Sequence, residues 1–262
     1  MNGNPVGILG VPFDEKSSYL RGAAAAPPII RESLFSEAYN PYSEKGVMVD
    51  KAEIRDFGNL SIDSYETIEP QVRQILQKSV RLLSFGGDHS IVYPLIKAYT
   101  AYYGKVHILQ IDAHGDLYDE FEGDRYSHAC PFARIMEAGL AHSLTQVGIR
   151  SLTPHQRQQA VRFGVEVIEM RDYVLKKIPS LEGPLYLSLD LDGLDPAYAP
   201  GVSHQEAGGF TSRQVIDIIQ QLPLPLIGAD IVELNPTRDI GGITAALAGK
   251  LAREILANMI GG

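Results

Sequence analysis

Short apolar runs rich in β-branched residues alternate along the chain with longer stretches of helical period. The short runs predict strands and the longer amphipathic stretches predict helices. The predicted strands are residues 6–11, 47–49 with Ile54, 82–85, 106–111, 144–149, 165–168, 185–191 and 226–232. The predicted helices are residues 27–35, 65–80, 91–103, 130–139, 154–163, 212–221 and 243–260.

The regular alternation of strands and helices is typical of an α/β protein. Strand, helix and strand in succession imply right-handed crossovers and a parallel sheet covered on both faces. Helix-start residues agree with this order, because Thr153 precedes Pro154 and Thr211 precedes Ser212 where two predicted helices begin. A closed barrel fits the same periodicity, so the pattern alone leaves both sheets open. No break in composition and no internal repeat divides the chain, and we expect a single domain over residues 1–262.

The composition is that of an ordinary soluble globular protein, with 45% hydrophobic and 21% charged residues among 262. No window approaches the roughly 18 consecutive apolar residues that a membrane span needs. The 23 Lys and Arg residues against 32 Asp and Glu residues give a net charge of −9. Such a charge repels nucleic acid and anionic membranes and attracts cations. We therefore expect a cationic substrate or a metal ion as partner, with no nucleic acid and no membrane.

Two further features bear on the cellular compartment. Cys130 is the only cysteine, which excludes an intrachain disulfide and suits a reducing compartment. Residues 1–5 contain no basic group ahead of an apolar stretch, so they do not resemble a secretory signal. From these features we expect the protein to reside in the cytoplasm.

Side chains that commonly bind metals follow three of the predicted strands, where the strands end. Ligands gather at the carboxyl ends of strands in both candidate sheets. The segments read Gly86-Gly87-Asp88-His89-Ser90, Asp112-Ala113-His114-Gly115-Asp116 and Asp190-Leu191-Asp192. The glycines predict a tight turn with positive φ that presents His89. Since alternate residues of an extended segment point the same way, we expect Asp112, His114 and Asp116 to converge.

The charge of this cluster indicates a pair of divalent cations. A lone aspartate at a strand end is usually a turn or cap residue, but several converging on one apolar edge repel each other unless cations neutralise them. The candidate ligands are His89, Asp112, His114, Asp116, Asp190 and Asp192. Four carboxylates carry a charge of −4, which two divalent ions balance, and the imidazoles are neutral ligands. Oxygen ligands with two imidazoles and no thiolate favour Mn²⁺. Such ions would lower the pKa of bound water and so favour a hydrolysis reaction.

Two other patterns carry less weight. Cys130 lies two residues from His128, yet its place at the start of an apolar helix favours a buried, inert thiol over a nucleophile. The Gly86-Gly87 pair lacks the GxxxxGK[ST] pattern of a phosphate loop.

These motifs, in this order, resemble the ureohydrolases, the family of the arginases and agmatinases. The likeness covers nearly the whole chain, from Gly10-Val11-Pro12-Phe13-Asp14 to Asp230-Ile231-Val232-Glu233-Leu234-Asn235-Pro236. Residues 126–129 with 132–137, and residues 199–206 with 208–209, look most like the plant-type arginases. The resemblance implies an arginase-like fold of three layers, α/β/α, around an eight-stranded, mainly parallel sheet. It also implies a homo-oligomer, either a trimer or a hexamer.

The same resemblance implies roles for individual residues. One Mn²⁺ ion would be held by His89, Asp112, Asp116 and Asp190, and a second by Asp112, His114, Asp190 and Asp192. Glu233 would bind the substrate guanidinium, Asp116 would pass a proton to the leaving amine, and His128 would shuttle protons. Ser127, His128 and His204 are expected to contact the substrate.

The implied reaction is hydrolysis of a guanidino group to urea and an amine. The plant-type likeness favours L-arginine, which gives urea and L-ornithine. Agmatine, which gives urea and putrescine, or another guanidino compound is the alternative. Agmatine is favoured by the acidic residues Asp119, Glu120, Glu122 and Asp124, which also argue against a substrate with two carboxylates. Two rival hypotheses are a two-metal hydrolase that acts on a phosphoester or an acylated amine, and a non-catalytic scaffold that binds cations.

Overall fold

The computed structural model describes residues 5–78, 81–173, 181, 183–222 and 226–261. The strands are β1 (Val6–Val11), β2 (Arg55–Asn59), β3 (Arg81–Gly86), β4 (Val106–Ile111), β5 (Ala141–Ile149), β6 (Glu166–Glu169), β7 (Leu185–Asp190) and β8 (Leu226–Val232). The α-helices are α1 (Ala26–Leu34), α2 (Ile68–Leu76), α3 (Val92–Tyr103), α4 (Pro131–Glu137), α5 (Pro154–Phe163), α6 (Ser212–Gln221) and α7 (Ile243–Ile260).

The eight strands form one sheet in the order β2-β1-β3-β8-β7-β4-β5-β6. Each pair of neighbours is parallel. Within the described residues β2 and β6 each pair on one side only, so the sheet is open and the closed-barrel alternative is excluded. The predicted parallel α/β fold is confirmed.

Helices cover both faces of the sheet and create two hydrophobic cores. Side chains of α1, α6 and α7 pack on one face, and side chains of α2, α3, α4 and α5 pack on the other. Alternation along β4 sends Leu109 and Ile111 into the first core and Val106 and Ile108 into the second. Strands buried on both faces read as continuous apolar runs, which is why the central strands were visible in the sequence.

Capping boxes begin α5 and α6 at the predicted residues. Oγ1 of Thr153 accepts the N–H of Gln156 at 3.3 Å, and Oε1 of Gln156 accepts the N–H of Thr153 at 3.2 Å. Thr211 and Gln214 make the same pair of hydrogen bonds at 3.2 Å and 2.9 Å. Each box satisfies two backbone N–H donors at a helix start, and such a cap contributes about 1 kcal/mol.

The predicted second strand, residues 47–49 with Ile54, is wrong. The strand lies at Arg55–Asn59 and most of its residues are exposed, because it pairs with β1 alone at the edge of the sheet. Val49 and Ile54 are buried in the core that contains α1. An exposed edge strand needs no apolar run, so the apolar pattern in this region marks the core residues beside the strand and not the strand itself.

The helix predicted over residues 65–80 is divided. It begins as a 3₁₀ turn, Tyr65–Thr67, and continues as α2 to Leu76. Its predicted end, at residues 79 and 80, lies outside the described residues. In the part of the chain that the structure describes, none of the helices has both the length and the apolar character of a bilayer span.

Candidate active site

The site lies at the carboxyl ends of four neighbouring strands, β3, β8, β7 and β4. His89 follows β3, Glu233 follows β8, Asp190 ends β7 and Asp112 follows β4. Neighbouring strands are about 4.8 Å apart, so the sheet order brings together side chains that are distant in sequence. The N–H of His89, for example, donates to Oε1 of Glu233 at 2.8 Å across 144 positions.

Three carboxylates surround one nitrogen of His89. Its Nδ1 lies 3.1 Å from Oδ2 of Asp112, 3.0 Å from Oδ2 of Asp116 and 3.2 Å from Oδ2 of Asp190. All four side chains are buried, and Nδ1 has no hydrogen-bond partner of suitable geometry. One nitrogen and three carboxylate oxygens that converge without hydrogen bonding form a typical ligand set for a hard divalent cation.

A second ligand group adjoins the first and shares Asp112 with it. Nδ1 of His114 lies 3.0 Å from Oδ2 of Asp192 and 3.6 Å from Oδ1 of Asp112. The structure thus brings all six predicted metal-ligand residues into one cluster, with a carboxylate placed between the two groups.

The electrostatics of the cluster favour added positive charge. Burial and the nearby carboxylate of Asp112 raise the pKa of Asp116 to about 6. Burial and the neighbouring Asp192 and Asp112 raise the pKa of Asp190 well above its usual range. Although burial opposes it, the surrounding carboxylates also raise the pKa of His89. Crowded buried carboxylates are relieved by cations, so the residues present fit a pair of divalent metal ions.

A buried hydrogen-bond chain orients His89. Oγ of Ser188 donates to Oδ1 of Asp230 at 2.9 Å, and it therefore accepts from Nε2 of His89, also at 2.9 Å. The hydroxyl of Tyr186 donates to Oδ2 of Asp230 at 2.9 Å. This chain turns Nδ1 toward the carboxylates. Sequence reasoning missed both Ser188 and Asp230, although an acid in the middle of the apolar strand β8 is a signal that could have shown Asp230.

Glu233 and His128 form a pair beside the cluster. Nδ1 of His128 lies 3.5 Å from Oε1 of Glu233, and its Nε2 lies 2.9 Å from Oγ of Ser18. Burial opposes both charges, but the contact lowers the pKa of Glu233 and raises the pKa of His128 to about 9. Glu233 is therefore ionised, as the binding of a cation requires. Ser18 was not predicted, since nothing in the local sequence marks it.

The backbone is strained at two candidate catalytic residues. Asp116 has φ 47° and Glu233 has φ 65°, both in the left-handed region that residues other than glycine rarely adopt. Such conformations cost about 1–3 kcal/mol each and cluster at functional sites. Leu20 and Glu122 also have positive φ, so the strain agrees with a functional role for Asp116 and Glu233 but does not by itself assign one.

The predicted positive φ of the glycines before His89 is wrong. Neither Gly86 nor Gly87 adopts positive φ. They are required by close packing, because a Cβ on Gly87 would lie 1.8 Å from the carbonyl oxygen of Phe13, and a Cβ on Gly86 would lie 2.5 Å from Cδ1 of Ile91. Neighbouring segments thus pack so closely against the turn that only glycine fits at these two positions.

A cavity of about 170 Å³ opens over the cluster. It is lined by Ser18, His114, Asp116, Tyr118, Phe121, His128, Ala129, Ser151, Thr153, Gln156, Asp190, Asp192, His204 and Glu233. His204 lies where it was predicted, and its ring centroid is 5.0 Å from that of His128. Ser127 does not line the cavity; it is buried, and its Oγ accepts the N–H of Ala129 at 3.4 Å. The predicted substrate contact of Ser127 therefore lacks support, because the turn directs its hydroxyl to the backbone.

The four acids that favoured agmatine lie outside the cavity lining. Asp119 pairs with Arg125 at 2.9 Å and with Arg134 at 3.1 Å. Asp124 pairs with Lys16 at 2.7 Å. Ion pairs thus neutralise part of the acidic charge of residues 119–124. This charge is therefore weak support for agmatine over L-arginine.

Cys130 is buried at the N-cap of α4, as the sequence predicted. Burial raises the pKa of its thiol to about 12. A thiol that stays protonated and buried is a poor nucleophile, so the Cys130–His128 alternative finds no support.

The fold and the site together define an α/β enzyme whose parallel strands hold a carboxylate and imidazole cluster for cations. Comparison with known proteins makes this specific. The model of the Arginase family matches residues 4–257, and the chain belongs to that family. This confirms the predicted ureohydrolase class.

Individual relatives agree with the family match. Arginase 1, mitochondrial, from Arabidopsis thaliana is 44% identical over 274 residues, which cover 96% of this chain and 80% of that protein. The solved structure of arginase from Medicago truncatula matches with a TM-score of 0.91 at 42% identity, over 97% of this chain and 87% of that one. Agmatinase, mitochondrial, from Gallus gallus is 34% identical, over 95% of this chain and 79% of that protein.

The expectation of a cytoplasmic location is contradicted by these relatives, whose plant members are named mitochondrial arginases. The physical argument was too weak to decide the compartment. A single buried cysteine suits any reducing compartment and does not single out the cytoplasm.

Proposed function

We propose that this protein hydrolyses the guanidino group of L-arginine to urea and L-ornithine with two Mn²⁺ ions. The observation that carries the proposal is the convergence of three carboxylates on Nδ1 of His89, beside the ionised Glu233 and at the floor of the cavity. A cluster that requires cations and an acid placed to bind a guanidinium are the two parts that this reaction needs.

The six clustered residues would hold the metal ions. His89, Asp112, Asp116 and Asp190 form one ligand set, and Asp112, His114, Asp190 and Asp192 form the other. Bound divalent cations supply Lewis acidity, which makes water nucleophilic near neutral pH. Hard oxygen ligands with two imidazoles favour Mn²⁺ over structural zinc.

The remaining residues bind the substrate and move protons. Glu233 orients the guanidinium with charge-assisted hydrogen bonds, and the N–H of His89 fixes Oε1 of Glu233 from behind. Asp116 lies beside Nδ1 of His89 at 3.0 Å and lines the cavity, where its carboxyl can pass a proton to the leaving nitrogen. His128 exchanges protons between the site and solvent, with Ser18 as its hydrogen-bond partner on the open side.

Arginine is favoured over agmatine because the cavity tolerates a carboxylate. The far end of the cavity is lined by Ser151, Thr153 and Gln156, whereas the acids of the 119–124 segment are absent from its lining. Neutral polar groups do not repel the α-carboxylate of arginine.

Urea release decides between the substrates. The protein is loaded with Mn²⁺ and assayed on L-arginine, agmatine and 4-guanidinobutyrate under the same conditions. We expect kcat/KM to be highest for L-arginine. A higher value for agmatine would assign the alternative activity, and release of no urea from any of the three would refute the proposal.

We also propose that the active form is a homo-oligomer, a trimer or a hexamer. The proposal rests on the likeness of the sequence motifs to the ureohydrolases, and the exposed Ile240 and Ile243, 65% and 53% accessible, are apolar surface available for a subunit contact. Light scattering coupled to size exclusion measures the mass directly, and a monomer of 28.7 kDa would contradict this assignment.

A further inference from the structure

The cavity reaches from Glu233 to the start of α5. Glu233 follows β8, and α5 follows β5, which is three positions away in the sheet order, about 14 Å at ~4.8 Å per strand. A β-bridge between His114 and Ser151 ties the far end of the cavity to the metal-ligand cluster. A substrate whose guanidinium lies at Glu233 therefore extends its other end toward the first turn of α5.

Gln156 lines that far end with an unused hydrogen-bond donor. The residue is 2% exposed, and its Oε1 accepts from the backbone N–H of Thr153 at 3.2 Å and from Oγ1 of Thr153 at 3.5 Å. The capping box thus fixes the orientation of the amide, because the backbone N–H requires the oxygen. Within the described ranges, Nε2 of Gln156 has no hydrogen-bond partner.

The amide donor of Gln156 lies at the cavity wall, where water or a ligand oxygen can accept its hydrogen bond. A ligand oxygen that replaces the water in good geometry gains affinity. α5 is ten residues long, and its N-terminus adds positive partial charge at the same place. No Lys or Arg is among the residues that line the cavity, so these neutral donors are what it offers to an anion at this end.

We propose that Gln156, at the start of α5, binds the α-carboxylate of L-arginine and thereby sets the preference for arginine over agmatine. This assignment rests on the proposed function and adds to it the residue that recognises the far end of the substrate. Agmatine carries an ammonium group at its far end and no carboxylate, so it gains nothing from the amide donor.

Gln156→Glu tests the assignment with little change in shape. The substitution keeps the oxygen that caps α5 and replaces the amide donor with a second carboxylate oxygen. We expect the ratio of kcat/KM for L-arginine to kcat/KM for agmatine to fall about 10- to 100-fold, the range typical of a lost hydrogen bond to a charged group. KM for L-arginine should rise. The substrate 4-guanidinobutyrate also ends in a carboxylate, so its kcat/KM should fall together with that of L-arginine.

Gln214→Glu is the matched control, since Gln214 occupies the same position in the capping box of α6 and does not line the cavity. It should leave the arginine-to-agmatine ratio unchanged, and both variants should melt near the wild-type temperature. An unchanged ratio in Gln156→Glu, or an equal loss on all three substrates, would overturn the assignment of Gln156. Absence of urea release from L-arginine by the wild type would instead refute the proposed function itself.

Discussion

Nε2 of His89 lies 2.9 Å from Oγ of Ser188, although 99 positions separate the two residues in sequence. Because the hydroxyl of Ser188 donates its hydrogen bond to Asp230, it accepts from Nε2 of His89 and leaves Nδ1 directed at the cluster of carboxylates. The imidazole is therefore oriented by groups that lie outside the set of candidate metal ligands.

Removing this support should weaken metal binding. Partners that orient a metal-binding histidine typically contribute about 10- to 100-fold in metal affinity. We expect Ser188→Ala to raise the dissociation constant for Mn²⁺ by that factor, measured by the Mn²⁺ concentration needed for half-maximal urea release and by metal content after dialysis. Ser143→Ala is the matched control, since Oγ of Ser143 lies 2.8 Å from Nδ1 of His107 away from the cavity. Equal effects of the two variants would contradict the role of Ser188.

Removal of divalent cations should cost stability as well as activity. Four buried aspartates of the cluster lose their neutralising charge when the ions leave. We expect a chelator to abolish urea release and to lower the melting temperature, and Mn²⁺ to restore both. At 100 times the dissociation constant, a bound ligand stabilises the folded state by about 2.7 kcal/mol.

Asp190→Ala should remove the same response. Oδ2 of Asp190 lies 3.2 Å from Nδ1 of His89 within the cluster. We expect lower metal content, no urea formation and little change in melting temperature on addition of Mn²⁺. Full metal content together with normal turnover would refute the assignment of the ligands.

His128 should affect turnover without affecting metal content. It contacts Glu233 and Ser18 and is not among the clustered ligands. General acid–base groups contribute about 100-fold or more, so we expect His128→Asn to lower kcat by that order with Mn²⁺ retained. Ser18→Ala, which removes only the hydrogen-bond partner on the open side, should give a smaller loss. Unchanged kcat in His128→Asn would exclude the residue from proton transfer.

The Glu44–Arg213 pair should make stability depend on pH in the acid range. The Arg213 guanidinium, 2.6 Å from Oε1 of Glu44, lowers the pKa of that carboxyl to about 2. A lowered pKa in the folded state stabilises the protein above pH 4.5, and this contribution is lost as the pH falls from there toward 2. We expect the difference in urea midpoint between wild type and Glu44→Gln to be present at pH 7 and to shrink below pH 4.5. In an Arg213→Ala background the pH dependence should be weaker, because only the contacts of Glu44 with Gln220 and Lys250 remain to lower its pKa.

Cys130 should be unreactive in the folded protein. Its thiol is buried, and burial raises its pKa to about 12, so little thiolate forms near neutral pH. We expect no alkylation by iodoacetamide at pH 8 in the native state and complete alkylation in denaturant, as followed by mass spectrometry. Rapid alkylation without unfolding would show that the segment around Cys130 opens.

The candidate site was largely visible in the sequence because its ligands are local to strand ends. An apolar run that ends in Asp-x-His or Asp-x-Asp places alternate side chains on one side of the sheet edge, and this holds for Asp112 and His114 as for Asp190 and Asp192. The supporting residues were not visible. Ser188 lies within such a run and Gln156 within a capping box, where a structural role already accounts for each residue type.

The predictions were wrong where the local sequence pattern and the tertiary structure disagree. β2 is an exposed edge strand, and the apolar residues Val49 and Ile54 beside it were predicted as part of the strand. Gly87 was attributed to backbone freedom, whereas the carbonyl of Phe13 leaves no room for a side chain.

By itself, the sequence determined the α/β class, the central strands and the set of candidate metal-ligand side chains, because burial on both faces and strand-end alternation are properties of short stretches of chain. Only the tertiary structure decided that β3, β8, β7 and β4 are neighbours, which side chains face the cavity, and which donors there lack a partner. Strand order, the cavity lining and the unpaired donors depend on contacts between residues far apart in sequence. The free energies of such contacts cannot be predicted from a local sequence pattern.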